Sequence, residues 1–486
     1  MRSLIFSVAL WSQALSYASA TNPEIPNTDP KSWNPADIIE VDVAIIGGGS
    51  AGTYAAISLK DQGKKVIVIE KKNRIGGHTE TYIDPETGTP IDMGVLIWHN
   101  TTIVRDYFKR FDIPLIRYGS DADPNNPPPQ PAYYDLGTGK PVTVVPAAPG
   151  DTSAAFAALG AWLAKYPQLN NGLFVPEPVP EDLLLPFGKF VEKYNLQAAL
   201  PTIYNYNPGL GDVLTGPTFE QIRVFGLSLL QQLATGFLTT ARHNNSELYT
   251  RAQSELLSTS PSSLLLCTTI QTTHRTPSLT TLVVRTSSGL KLIHARRLLV
   301  TTPPKTDLLP FTLTKNETSI FSRFVNGGYY TSIVRNTGLP DSLSITNALQ
   351  SSPYNLPVLP AVYTIQSTPV PGLKLAYYGT PLSSNSYPIS DRTVQTDIIN
   401  AIKTLQKANP DKFNQTDPQF EEYSSHSPFY LQAKPEDTRS GFYKRLYALQ
   451  GVGGTWWTGA SWRAQDSSEI WRYTAELVLP KLLAEL

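Results

Sequence analysis

This chain reads as an α/β protein with two domains, and three observations predict it. Residues 41–46 form a short apolar run typical of a buried parallel strand, residues 51–62 have helical spacing, and residues 66–69 are a second apolar run. Together they make one β-α-β unit of about 30 residues. Downstream, residues 324–336 and 361–379 read as strands of a second sheet, with Pro-rich turns between them. At 486 residues, of which 16% are charged, the chain has room for two or three domains around a large core. The predicted class is therefore α/β: a Rossmann-type dinucleotide-binding domain plus an α+β domain that carries a second mixed sheet.

The elements follow in order. Arg2 and an apolar run over residues 4–15, broken by Ser7, Ser12 and Gln13, precede Ala18-Ser19-Ala20, a small-x-small cleavage site. Residues 1–20 are thus expected to be a signal peptide, and the mature chain to begin near Thr21. That run is too short and too polar to span a bilayer, and no second one reaches spanning length. The expected location is secreted or the endomembrane lumen, and the sequons at Asn100, Asn244, Asn316 and Asn414 are candidate glycan sites. Residues 21–40 form a Pro- and Asn-rich leader. Gly63 closes the first helix as a C-cap. Residues 123–131 read as a surface loop. Helical spacing recurs over residues 151–166, 180–200 and 218–238. Strand-like runs follow at 264–270, 279–286, 290–294 and 298–301, and Pro303-Pro304 ends that block. Residues 391–408 read as a helix, and residues 468–485 as a C-terminal helix bent at Pro480.

Composition excludes several classes. Lys+Arg and Asp+Glu are both 40, so the net charge is +0, which argues against a nucleic-acid partner. Mean hydropathy is -0.18, outside the range of a membrane bundle. One cysteine excludes an intrachain disulfide framework, and six scattered histidines without H-E-x-x-H give no metal site.

The chemical signal is the loop after the first strand. Gly47, Gly49 and Gly52 fit G-x-G-x-x-G. The first glycine permits the tight turn, the second lets backbone N–H groups approach a pyrophosphate, and the third lets the helix pack on the strand. Ser50 and Ala51 open a helix whose unpaired donors and positive dipole end suit an anion. Glu70 ends the second strand, 18 residues after Gly52, where an acid accepts ribose hydroxyls and disfavours a 2′-phosphate. Then Arg74-Ile75-Gly76-Gly77-His78 adds an R-x-G-G turn, a second close backbone approach with an arginine able to pair with phosphate.

This turn resembles the flavoprotein amine-oxidase superfamily, in which R-x-G-G follows the first β-α-β unit. Ile91-Asp92-Met93-Gly94 looks like that family's aspartate–glycine stretch beside the flavin ring, which implies contacts from Met93 and Gly94. The strand run that includes Ile270 is similar to the family's middle segment, which returns to the adenine. Residues 446–451 and Trp456-Trp457-Thr458-Gly459-Ala460 look like the final flavin-contacting strand and helix start. The G-G-H turn and the late L-Q-G and W-T-G-A motifs are similar to the fungal β-cyclopiazonate dehydrogenase family. The resemblance implies FAD as cofactor. It also implies a discontinuous FAD domain of residues 40–94, 247–304 and 441–486, with 95–246 and 305–440 as the substrate domain.

Three departures from the amine-oxidase pattern matter. His78 stands where those enzymes have arginine, and is expected to contact the cofactor non-covalently, with a covalent flavin link as the alternative. The family's lysine beyond the paired prolines is absent, and Lys305 is expected to be solvated. The covalent cysteine has no counterpart, and Cys267 is expected to be a small buried hydrophobe on a strand.

Three residues are candidates for catalysis: His426 as first choice of base, His99 as second, and Tyr447 as an aromatic wall facing the flavin, with Trp456 and Trp457 beside it. The expected activity is FAD-dependent oxidation, by desaturation or oxidative cyclisation, of a small apolar metabolite in fungal specialised metabolism. A double-bond isomerase with no net redox change, a flavin amine oxidase and a non-catalytic flavin-binding protein are the alternatives. The expected partner is a small-molecule substrate, and the expected state a monomer or homodimer.

Overall fold

The computed structural model describes residues 27–120 and 129–486. Residues 1–20, expected from sequence to be a signal peptide, and most of the loop at 123–131 lie outside the described residues.

The first strand, Ile38–Ile46, is the centre of a seven-stranded sheet. It pairs in parallel with Val66–Ile69 on one side and Gly289–Val300 on the other, so that Ile46 faces both Ile69 and Val300. Leu264–Leu265 extends the sheet beyond Val66–Ile69, and Thr455–Trp457 pairs in parallel with the carboxyl end of Gly289–Val300. An antiparallel meander, Thr269–Arg275 and Thr280–Thr286, completes it. Val43, Ala44 and Ile45 are sealed from solvent because the central strand is covered on both faces, as its unbroken apolar run requires. Four of the five parallel strands thus end at one cavity, lined by the next residues in the chain, Gly47, Glu70, Thr301 and Thr458.

The second sheet runs in the order Gln419–Ser425, Tyr329–Arg335, Leu373–Gly379, Ala361–Ser367, Leu343–Asn347, Gln130–Asp135, Lys140–Pro141. All its pairs are antiparallel except Leu343–Asn347 with Gln130–Asp135. Alternation assigns its faces. Tyr330, Val334, Ala376 and Tyr378 pack against Val394, Ile398 and Ile402 of the helix Asp391–Ala408. The other face carries Tyr329, Ile333, Leu375 and Tyr377.

Several elements differ from the sequence expectation. The helix over 180–200 breaks into Glu181–Leu184 and Phe187–Lys193, because Leu185 precedes Pro186 and is held extended. The helix over 218–238 divides into Thr218–Val224 and Leu227–Thr235 at Phe225-Gly226, and its last residue, Leu238, opens the strand Leu238–Thr240. The runs at 290–294 and 298–301 are one strand, Gly289–Val300. The intervening Arg296 and Arg297 pair with Asp42 and Glu485 near its surface. The C-terminal bend is a π-helical turn, Thr474–Val478, just ahead of Pro480. Cys267 is exposed, in a left-handed turn (φ 49°) between strands, and is not a core residue. Lys305 is buried rather than solvated; its Nζ donates to the carbonyls of Ser384 (2.7 Å) and Phe324 (3.1 Å).

The domain boundary at 94/95 also shifts. Tyr107 and Phe108 of the helix Thr102–Arg110 pack on Trp471 of the C-terminal helix, which places that helix with the nucleotide domain. Phe321, at the end of the helix Lys315–Phe321, packs on Trp457 in the same way.

Candidate active site

The glycine loop is fixed by close backbone contacts. Gly47 has φ 98°, and a Cβ on it would lie 2.8 Å from Thr301 Oγ1. A Cβ on Gly52 would sit 2.0 Å from the Gly47 carbonyl oxygen. The helix Ser50–Asp61 has no side-chain cap at its start, so its first N–H groups remain for a ligand. Trp471 Nε1 donates to Ser50 Oγ at 2.9 Å and anchors that start. Glu70 Oε2 accepts from Gly48 N–H (2.7 Å) and Oε1 from Lys72 N–H (2.8 Å), so this carboxylate shapes the loop as well as facing the cavity.

The R-x-G-G turn packs onto this loop: a Cβ on Gly77 would lie 2.9 Å from Gly49 Cα. Arg74 corrects one expectation. It does not line the cavity; its guanidinium donates to the carbonyls of Ile75, Gly77 and Thr79 and to Glu80, and so it staples the turn. Met93 corrects another: it is buried in an apolar cluster with Ile91 and Leu210 and is not itself in the cavity wall, whereas Gly94 is.

One cavity of about 990 Å³ joins these parts. At one end are Gly47, Gly49, Ser50, Ala51, Glu70, Gly76, Gly77 and Ile270, and with them in the wall stand Thr458, Gly459 and Ala460. Its size is at the upper end of the roughly 300–1,000 Å³ range of small-molecule sites. The uncapped helix start, the two interlocked glycine turns and the acid at the strand end fit the pyrophosphate and ribose of FAD.

The three catalytic candidates separate. His426 is in the cavity wall, 2% exposed, with Nε2 3.2 Å from Glu80 Oε2. His78 stacks on it (centroids 4.4 Å apart, 17° between planes) and meets Gln465 Nε2 through Nδ1 at 3.3 Å. Burial and then the neighbouring His426 push the His78 ring well below the ordinary histidine range, so it stays neutral. Burial opposes the Glu80 charge, but the hydrogen bonds of His426 and Ser424 and the Lys72 charge outweigh it and hold Glu80 ionised.

His99 and Tyr447 are corrections. His99 lies behind the wall, between Asp466 (Nε2–Oδ2 3.0 Å, an ion pair without hydrogen-bond alignment) and Glu469 (3.6 Å from Nδ1). Burial disfavours its charge, yet the two carboxylates prevail and push it up to about 9; it is a cation at neutral pH, not a base. Tyr447 does not face the cavity. Its hydroxyl donates to the Trp462 carbonyl (2.7 Å) and accepts from Leu173 N–H (2.8 Å). Trp456 and Trp457 are likewise core residues.

The aromatic wall comes instead from the second sheet (Tyr329, Tyr363 and Tyr377), from the short strand Phe429–Gln432 (Phe429) and from the helix Leu200–Tyr206 (Tyr204 and Tyr206). A bulge builds part of it. Val362 pairs with Tyr378 and Thr364 with Tyr377, so Tyr363 is the extra residue. Val362 and Ile365 therefore face the helix side, while both Tyr363 and Thr364 reach the cavity. Gly379 makes room: a Cβ there would lie 2.2 Å from the Tyr363 ring. These tyrosines and Glu80 carry no motif of their own; only Tyr363 and Tyr377 lie in a stretch, residues 361–379, whose alternation signals a strand face.

A two-domain flavoprotein architecture, with the dinucleotide cleft opening onto an aromatic chamber, is what these features define. Residues 45–111 match the family described as NAD(P)-binding Rossmann-like domain. The chain is 47% identical to the FAD-dependent oxidoreductase oblC of Cochliobolus heterostrophus over all of both chains. It is 35% identical to β-cyclopiazonate dehydrogenase of Aspergillus oryzae, over 91% of this chain and 93% of that one. It belongs to this family of FAD-dependent oxidoreductases. Among solved structures, it is similar to the CLA-producing fatty acid isomerase from P. acnes (TM-score 0.69, 18% identity, 90% and 98% of the two chains). It is also similar to cyclohexylamine oxidase from Brevibacterium oxydans IH-35A (TM-score 0.60, 17% identity, 92% and 99%). Both of these likenesses concern the fold.

Glu70→Ala is expected to weaken FAD retention by roughly 1.5–3 kcal/mol, the scale of a hydrogen bond to a charged group. Titration of apoprotein with FAD measures this. Unchanged affinity would remove Glu70 from the ribose site.

Proposed function

We propose that this oxidoreductase removes two hydrogens from a small, largely apolar metabolite, creating a double bond or closing a ring, as a tailoring step of fungal specialised metabolism. The observation that carries this reading is the single cavity in which the dinucleotide loop, His426 and a tyrosine-rich wall share one surface. FAD, when bound, accepts the hydride. The aromatic wall orients the apolar substrate and excludes water. His426 takes the proton, and Glu80 holds its Nε2 edge and stabilises the imidazolium that results. The names of the relatives support the pathway context: they include oblC, β-cyclopiazonate dehydrogenase and pigF of Monascus ruber, the last 37% identical over 96% of this chain.

The test is anaerobic mixing of FAD-loaded protein with the metabolites that accumulate in a host lacking this chain. The expected result is loss of the visible flavin absorbance and a product two hydrogens lighter. A product of unchanged mass would mean isomerisation, and protein that neither contains nor takes up flavin would end the reading altogether. Acid precipitation of the same sample separates free from covalently held flavin.

The leader sequence supports a second part of the proposal, export or residence in an endomembrane lumen after cleavage near Thr21. Asn316 and Asn414 are exposed. Asn100 Oδ1 accepts from Arg105 Nε (2.8 Å) and Asn244 Oδ1 from Glu247 N–H (3.1 Å). Glycans are therefore expected on Asn316 and Asn414 in preference to the other two. An unglycosylated protein that still begins at Met1 refutes this part.

A further inference from the structure

The hydrogen-bond partner of His426 decides which of its nitrogens can act. Glu80 is ionised and only accepts, so Nε2, 3.2 Å from Glu80 Oε2, carries the ring hydrogen. The lone pair of neutral His426 is then on Nδ1. That nitrogen has no partner in the protein and is not sealed by its neighbours, so it opens onto the cavity that His426 lines. An imidazole is too weak a base for an unactivated C–H. The proton it takes must be acidified by a neighbouring electron-withdrawing group, and the charge that develops there needs a hydrogen-bond donor.

Among the described residues, the rings with centroids within 6.5 Å of the His426 ring are His78, Phe429 and Tyr329. Phe429 has no polar side-chain atom, and His78 belongs to the glycine turn at the dinucleotide end. Tyr329 comes from the second sheet. Its ring centroid is 6.0 Å from that of His426, and its carbonyl accepts from the His426 backbone N–H at 2.9 Å. Tyr329 is 8% exposed and lines the cavity. The hydroxyls of Tyr204 and Tyr377 in the same wall are closed off by surrounding atoms; the Tyr329 hydroxyl has no protein partner and is not closed off. Tyr206 carries another open hydroxyl, but its ring meets Phe225 and Phe237, not His426. Burial, and then the neighbouring Tyr377 and Tyr363, push the Tyr329 phenol well above its ordinary value, so it stays a donor at physiological pH.

We propose that the Tyr329 hydroxyl and His426 Nδ1 act as a donor and base on a carbonyl substrate that is deprotonated at the carbon next to its carbonyl. Nδ1 takes the α proton, the C–H electron pair moves into an enolate, and the enolate oxygen accepts a hydrogen bond from Tyr329. Return of that pair from oxygen expels the β hydrogen as the hydride assigned above to FAD and leaves an α,β-unsaturated carbonyl compound. This deepens the functional reading above and rests on its assignment of His426 as the base.

The test is deuterium exchange, which needs no hydride transfer. FAD-loaded protein, photoreduced so that oxidation is blocked, is incubated anaerobically in D2O with 2-tetralone as the probe, and deuterium uptake at the α carbons is followed by mass spectrometry. Wild type is expected to exchange the probe faster than buffer alone. Tyr329→Phe should lower the enzymatic rate about 10²–10³-fold, the cost of removing one donor to a developing oxyanion. His426→Ala should abolish it, with FAD content and melting temperature as in wild type in both variants. The carbonyl stretch of 2-tetralone bound to the unaltered protein is a second readout, expected at lower frequency than in hydrocarbon solution. No exchange above buffer, wild-type exchange in either variant, or an unshifted carbonyl overturns the proposal. Net oxidation of a metabolite without exchange of the probe sinks this inference alone, whereas exchange without net oxidation leaves it standing and removes the two-hydrogen oxidation.

Discussion

His426→Ala is expected to lower turnover by about 10²–10⁴-fold, the usual contribution of a general base, while the flavin spectrum stays intact. The expectation rests on placement. His426 is the one of the three candidate residues that stands in the cavity wall, and its Nε2 edge is engaged by Glu80 at 3.2 Å. A carboxylate in that position fixes the ring and favours the charged form that appears after proton transfer. Glu80→Gln should therefore lower turnover less than His426→Ala does, with the flavin spectrum again intact. Full activity in His426→Ala would point to hydride transfer without a base.

Gly52→Ala should reduce FAD affinity about 5- to 150-fold, the equivalent of the 1–3 kcal/mol that overpacking costs. The added Cβ would meet the Gly47 carbonyl oxygen at 2.0 Å and Thr301 Oγ1 at 3.0 Å. The first of these is backbone, so no rotamer relieves the clash; the loop or the helix must move, and the pyrophosphate seat moves with it. Gly150→Ala is the control, since a Cβ there meets nothing within 4 Å. The ratio of flavin to protein after gel filtration, followed by titration, measures the effect. Wild-type retention in Gly52→Ala would show that the helix start does not hold the cofactor.

Relatives matched over most of their length leave the FAD-dependent oxidoreductase class secure. The details of the chamber show where sequence reading stops. His426 and Glu80 are 346 positions apart in the chain, and no local pattern joins them. The sequence sets Tyr447 a few residues before the flavin-contacting stretch that the resemblance implies, where an aromatic is expected to face the flavin. The backbone turns instead at Gly451 and Gly453, both with positive φ, and the ring ends up stacked on Trp462. Tyr363 reaches the cavity only because a bulge adds one residue opposite Tyr377–Tyr378 and Gly379 leaves space for its ring.

By itself, the sequence determined the β-α-β unit, the glycine loop and the acid at Glu70. Those depend on short-range causes: φ angles that favour glycine, a helix period, an apolar strand and the fixed length of one crossover. It also determined the helix Asp391–Ala408, whose apolar stripe at Val394, Ile398 and Ile402 is legible from spacing alone. Only the tertiary structure decided which histidine faces the cavity, which tyrosines form its wall and why Arg74 is turned away from it. These depend on pairing register, on a bulge and on ion pairs between distant segments, and such long-range contacts are fixed only when the sheets close on one another.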